Sequence, residues 1–167
     1  MGDNSVVSDP LTFPIRAQFE VPSRTTPSFR VRRRVAGELP RHMAGETPFE
    51  AYRTPLLQFV ADWNRSSAKP TMMEQAPSYE GSDPYLLPSI ASVVHALADR
   101  HGLPVPDWVW SHKLPEDWVL FCEPGDTASY FWQRGVENAP STCAYHRVYF
   151  HRRLLDKGTP DWWLPWT

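Results

Sequence analysis

Cys143, His146 and His151 fall in one nine-residue stretch, and Cys and His are the residue types that hold zinc. Their spacing argues against a metal centre. On a strand, residues five apart point to opposite faces, and no second Cys or His pair supplies the remaining ligands of a tetrahedral site. A thiolate nucleophile needs a neighbouring base, which a Cys143–His146 pair, or Cys122 with any His, would provide. Nothing in the sequence orients a third member, and cysteine is among the residues most often simply buried. His95 and His101 lie six apart on a helical segment, about 240° around the axis, so each reads as a surface or cap residue. Glu116–Asp117 is explained by a helix N-terminus. The chain carries no G-x-G-x-x-G, no Walker loop, no G-x-S-x-G and no H-E-x-x-H. The expectation is no catalytic residue, no cofactor and no metal. An enzyme of unfamiliar type would need a deep polar pocket holding His95, His146 or His151 with a carboxylate in hydrogen-bond reach.

Charge gives the better functional signal. Residues 1–45 carry seven Arg against four acids, while the remainder carries ten basic residues against fifteen acids. Arg30, Arg32 and Arg34 share one face of an alternating segment, beside Arg33, and could meet phosphates or a partner protein's acids. The plainer reading is an edge strand kept from aggregating by its charge.

These groups need elements to position them. From Leu11 to Val21 apolar residues fall on every odd position, and Phe29 to Val35 alternates again, which predicts a β-hairpin arm. Ala36 to Glu46, with Gly37, Pro40 and Gly45, reads as a linker, which divides the chain into an arm at 1–45 and a body at 46–167. Thr47-Pro48-Phe49-Glu50 is a capping box opening a helix that Pro55 should kink or restart. Residues 66–82 have no periodicity and predict a mobile loop. Asp83 to Trp110 has the strongest pattern. Leu87, Ile90, Ala91, Val94, Leu97 and Ala98 form a stripe at helical spacing, with Asp83 as N-cap, Pro84 at the first position and Gly102 as stop. Further on, Pro115–Phe121 predicts a short helix, Asp126 caps a helix through about Gln133 that stops at Gly135, Ala144–Phe150 has strand composition, and Arg152–Lys157 forms a closing turn.

Eighteen prolines with eight Trp, eight Phe and six Tyr point to a loop-rich fold with a bulky aromatic core. Two cysteines make no disulfide framework, and MGDNSVVSDP has neither a basic nor an apolar leader region, so a cytoplasmic chain with reduced thiols and no membrane segment is expected. The terminal DWWLPWT is too apolar to float free.

From about Pro55 to Gly158 the order of features, ALADRHGLPVPDWV, then WVLF, then RGVENAP, then HRVYFHRRLLDKG, resembles the C-terminal helical interaction region of actinobacterial helix-turn-helix, antitoxin-like regulatory proteins. The helix-turn-helix itself is absent here, replaced by the alternating segment at 11–35. The resemblance implies an interaction module.

The reading is therefore an α+β, mainly helical single domain with a C-terminal strand, preceded by a β-hairpin arm. Its expected function is non-catalytic protein interaction, with a partner protein or another copy. Phe13, Ile15, Phe19, Phe29, Val31, Trp162, Trp163 and Trp166 would form the apolar contacts and Arg30, Arg32 and Arg34 the rim. Nucleic-acid binding through Arg30, Arg32, Arg33 and Arg34 is the alternative.

Overall fold

Prolines mark where the helices begin. Pro40 stands in the first turn of α1 (Leu39–Met43), Pro48 opens α2 (Pro48–Arg65), Pro70 is second in α3 (Lys69–Met73) and Pro88 is third in α4 (Leu86–Arg100). The missing amide is harmless there, because the first four N–H groups of a helix have no intrahelical acceptor. Two shorter helices, α5 (Tyr130–Glu137) and α6 (Cys143–His146), alternate with two short strands, β1 (Trp118–Val119) and β2 (Val148–Tyr149). The strands pair in parallel, Trp118 opposite Val148 and Val119 opposite Tyr149. Single 3₁₀ turns complete the order at Ala36–Glu38, Asp107–Ser111 and Arg152–Asp156. In the computed structural model the described residues are 35–44, 48–160 and 162, and they belong to one compact unit. They are mainly helical with a small parallel sheet. The predicted hairpin, with Phe13, Ile15, Phe19, Phe29, Arg30, Val31, Arg32, Arg33 and Arg34, lies outside the described residues, as do Trp163 and Trp166.

The centre is α4. Leu86 and every residue from Pro88 to Ala98 are buried, and α4 packs on α1, α6, β2 and the turns at 107–111 and 152–156. The sequence stripe marked one buried face; Ser89, Ser92, Val93, His95 and Ala96, which lie off it, are buried as well, so the helix is enclosed from Pro88 to Ala98. Asp83 is not the N-cap, a position that falls to Tyr85, two residues further on. Its Oδ1 accepts from Tyr85 N at 3.0 Å, a local turn that precedes the first helical residue, and its Oδ2 accepts from the buried Tyr52 hydroxyl.

Several expectations change. The predicted linker is helix through Met43, with Ala36, Leu39 and Met43 fully buried, so that this stretch belongs to the body. Helix α2 continues through Pro55 because Tyr52, Leu56, Phe59, Val60 and Trp63, all fully buried, offset the lost hydrogen bond. The expected mobile loop contains α3, whose Met72 and Met73 are buried and whose Met73 carbonyl accepts from Trp108 Nε1 at 2.9 Å. Residues 118–119 form a strand where a helix was predicted, since Trp118 and Val119 are both buried beside β2. Helix α5 is capped by Ser129, not Asp126: its hydroxyl accepts from Phe131 N and Trp132 N at 3.1 and 3.4 Å. The first half of the predicted C-terminal strand is α6, and only Val148–Tyr149 is extended.

Gly135 does not stop α5 but sits within it. A Cβ there would stand 2.6 Å from Val119 Cγ1, so the missing side chain is what lets α5 lie on β1. Gly135→Ala gains about 1 kcal/mol of helix propensity but forces Val119 to move, at about 1–3 kcal/mol. The expected net result is a loss of about 1 kcal/mol in chemical denaturation. The Gly135→Ala/Val119→Ala double variant should lose less than the two single losses together.

Candidate functional site

Within the apolar sequence of α4, Ser89, Ser92 and His95 recur every third residue and so share one face. That polar stripe is buried and each member finds a partner. Ser89 Oγ donates to Tyr85 O at 2.7 Å, Ser92 Oγ donates to Val148 O at 2.8 Å, and His95 Nδ1 lies 2.9 Å from His146 Nε2. Helix α6 presents Cys143 and His146 at the same three-residue spacing, with Cys143 fully buried beside Ser92. The His95–His146 bond joins α4 to α6, and the Ser92–Val148 bond joins α4 to β2.

The protons on the His95–His146 pair follow from its far end. His146 Nδ1 is 2.6 Å from His112 O, and a carbonyl only accepts, so Nδ1 carries the hydrogen. Neutral His146 then offers a bare Nε2, to which His95 Nδ1 donates. The chain of bonds runs from His95 through His146 to the backbone of residue 112. Around it, Trp110 sits edge-on to His95 at 4.7 Å and Tyr145 edge-on to His146 at 4.9 Å, while Tyr145 Oη donates to Trp110 O at 2.7 Å. The Lys113 ammonium lies 5.2 Å above the Tyr145 ring.

The backbone continues the same seam. Leu114 N donates to His146 O, Trp118 N to Arg147 O and Leu120 N to Tyr149 O, at 2.9, 3.0 and 2.8 Å. Arg147 ends α6 in the left-handed region, at φ 61°, and its guanidinium donates to Asp117 Oδ1 and to Pro115 O.

Burial sets the protonation of the pair. It pushes His146 down from 6.5 to about 4, against the opposing effect of the His112 carbonyl, and it lowers His95 against the nearby Asp99 carboxylate. Burial also drives the Cys143 thiol up to about 11, so the thiol stays protonated near neutral pH. A Cys143–His146 nucleophile, for which the sequence offered no third member, is not assembled: the thiol faces Ser92 and the imidazole faces His95 and His112. Among the described residues no carboxylate contact completes the pair as a catalytic triad would, and no three His, Cys, Asp or Glu converge on a metal position. A cavity of about 290 Å³ beside the first turn of α4 is lined by His112, Lys113, Ser82 and Asp83, but neither His95 nor His146 opens into it.

The chain matches no protein-family model, no curated protein and no solved structure.

His95, expected at the surface, is 8% exposed and pairs with a residue 51 positions away, which helical spacing alone does not reveal. The sequence did contain a signal: two polar pairs at i, i+3 in otherwise apolar surroundings, Ser92/His95 and Cys143/His146. His151 stands apart from them, its Nδ1 accepting from Arg153 N at 3.1 Å as the cap of the closing turn. His101 lies at the C-terminus of α4 against Trp63. Trp162 is half-buried with the Lys157 ammonium 5.1 Å above its ring. Among the described aromatics Tyr130 and Phe131, in the first turn of α5, stand furthest into solvent at 67% and 74% exposure, ahead of Trp110 and Tyr145.

Because the folded-state pKa of His146 is depressed, stability is full above the unfolded value near 6.5 and is lost as pH falls towards 4. A loss of about 3 kcal/mol is expected over that window in urea titrations, and His146→Leu should flatten much of the acid limb. In native protein at pH 7.5, roughly a neutral condition, Cys143 should react with a thiol reagent only at the rate at which its site opens.

Proposed function

We propose that this chain is a non-catalytic protein-interaction module of a regulatory, antitoxin-like kind, which binds a partner protein or another copy of itself. The observation that carries the reading is the pair Tyr130 and Phe131 on α5, two large aromatic side chains held in solvent by a helix that is otherwise well anchored. Ser129 caps the helix, Trp132 and Gly135 fix its inner face on β1, and Arg134 lies 6.0 Å above the Tyr130 ring. The aromatic pair is thus presented rigidly, at low conformational cost to a binding partner. Aromatic residues and Arg are the types that dominate interface energies, with losses on truncation of about 2 kcal/mol or more each at a hot spot. The titratable groups of the interior support the same reading, since His146 is held between His95 and the His112 carbonyl and the Cys143 thiol is fully buried. No helix among the described residues is long and apolar enough to cross a membrane.

The test is a Tyr130→Ser/Phe131→Ser double variant of the full chain. Both residues are exposed, so thermal stability should change little. Light scattering should show whether the wild type self-associates, and co-purification from the source cells should identify a bound protein. Whichever complex the wild type forms should weaken at least about a hundredfold in the variant. Equal binding by both proteins, or a wild type that is monomeric and purifies alone, refutes the reading.

A further inference from the structure

We propose that the His95–His146 pair is an acid-operated latch, which holds α6 and β2 on α4 while the two rings share no more than one proton and releases them when both are charged. The argument starts from the fixed end. His146 Nδ1 is committed as a donor to His112 O, so only its Nε2 is free to face His95 Nδ1 across 2.9 Å. With the pair neutral, His95 donates across that gap. A first proton leaves the bond intact: it goes to the outer Nε2 of His95, or it reaches His146 Nε2 while His95 shifts to the tautomer whose Nδ1 accepts. A second proton leaves no acceptor. Two N–H groups then face each other between two cations in a buried site, and the contact that joined the elements becomes repulsive.

The charges around the pair separate the two steps. On α4, Asp99 favours the first proton on His95. On the opposite side, His112 disfavours charge on His146, and the Lys113 ammonium above Tyr145 adds no negative charge to compensate. From α6 itself come the Cys143 thiol and the Tyr145 ring, both neutral, and from β2 comes the Val148 carbonyl, which Ser92 already occupies. Among the described residues no negative group beside His146 is placed to neutralise it, so the second proton is accommodated by moving the ring out. His146 O and Arg147 O carry the bonds from Leu114 N and Trp118 N, so release of the ring loosens the seam to β1 along with α6. This inference does not depend on the aromatic surface of α5 or on what binds there.

Two measurements on the full-length wild-type chain and one on a variant decide it. Nitrogen NMR of the histidine side chains at pH 8, roughly where both rings are neutral, should find both His95 and His146 protonated at Nδ1. Amide exchange, corrected for intrinsic rates, should show protection over residues 144–149 falling by on the order of tenfold more than that of residues 56–61 in α2 between about pH 7 and pH 5. In His95→Asn the amide nitrogen takes the place of Nδ1, and rotation of the side chain lets its oxygen accept from a charged His146. That variant should keep α6 protected and lose most of the pH dependence, to within about threefold. The latch is refuted if His146 carries its proton on Nε2 at pH 8, or if α2 and α6 lose protection together. Wild-type pH dependence in His95→Asn also refutes it. If that variant fails to fold, the two wild-type measurements alone decide the outcome.

Discussion

A helix enclosed on every side must find a partner for each polar group it carries, and α4 has three such residues in Ser89, Ser92 and His95. An unpaired buried hydroxyl or imidazole nitrogen costs about 1–3 kcal/mol, a sizeable fraction of the stability of a domain this size. Ser89 solves the problem locally by bonding back to Tyr85 O, as mid-helix serines often do. Ser92 and His95 reach outward, and what they reach is the segment from Cys143 to Val148. The contacts with α1 and with the turns at 107–111 and 152–156 bury the helix but do little to fix its rotation. The two outward bonds do that, since a turn of the helix by one residue would strand both.

The same two bonds account for a sheet that is otherwise too small to persist. Two strands of two residues have few ladder bonds, and parallel pairing is slightly weaker per residue than antiparallel. Here the ladder is lengthened at one end by non-strand groups. The His146 ring takes the His112 carbonyl, His146 O takes Leu114 N, and Arg147 places its guanidinium on Asp117 and Pro115 O. Residues 112–120 and 146–149 therefore run side by side over a longer stretch than the strand assignment covers. The left-handed backbone of Arg147 makes the corner, a conformation that a non-glycine residue adopts at a modest cost which the surrounding bonds offset.

The main helix and its general course were legible in the sequence because Ile90, Ala91, Val94, Leu97 and Ala98 repeat at helical spacing, and Gly102 adopts the positive φ of a stop. The enclosure of that helix was not, because Ser89, Ser92 and His95 look like a solvent face until their partners are known. Pro115–Phe121 was misread for a related reason. Pro and two acids are a good helix start, but Trp118 and Val119 are held by β2, and a strand pairing between distant segments leaves no local mark. Asp126 and Ser129 are both acceptable caps three residues apart, and only burial of Trp132 and Gly135 against β1 selects Ser129. The histidine pair joins residues that each looked unremarkable against their sequence neighbours, His95 beside His101 and His146 beside His151. Their convergence is a property of the fold.

An apolar pair at positions 95 and 146 would join α4 to α6 equally well at neutral pH and would carry no desolvation cost. A hydrogen-bonded pair of imidazoles gives an attachment whose strength depends on how many protons it holds, because each ring is donor and acceptor only while neutral. With His146 anchored on a carbonyl that cannot donate, the pair has no arrangement that tolerates two charges, and so its bond is conditional where a leucine contact would be constant. Trp110 and Tyr145 cover that bond from the solvent side and are themselves joined through Tyr145 Oη and Trp110 O. Any loosening of His146 therefore reaches the surface first at this aromatic pair, which couples the buried proton count to the shape of an exposed part of the molecule.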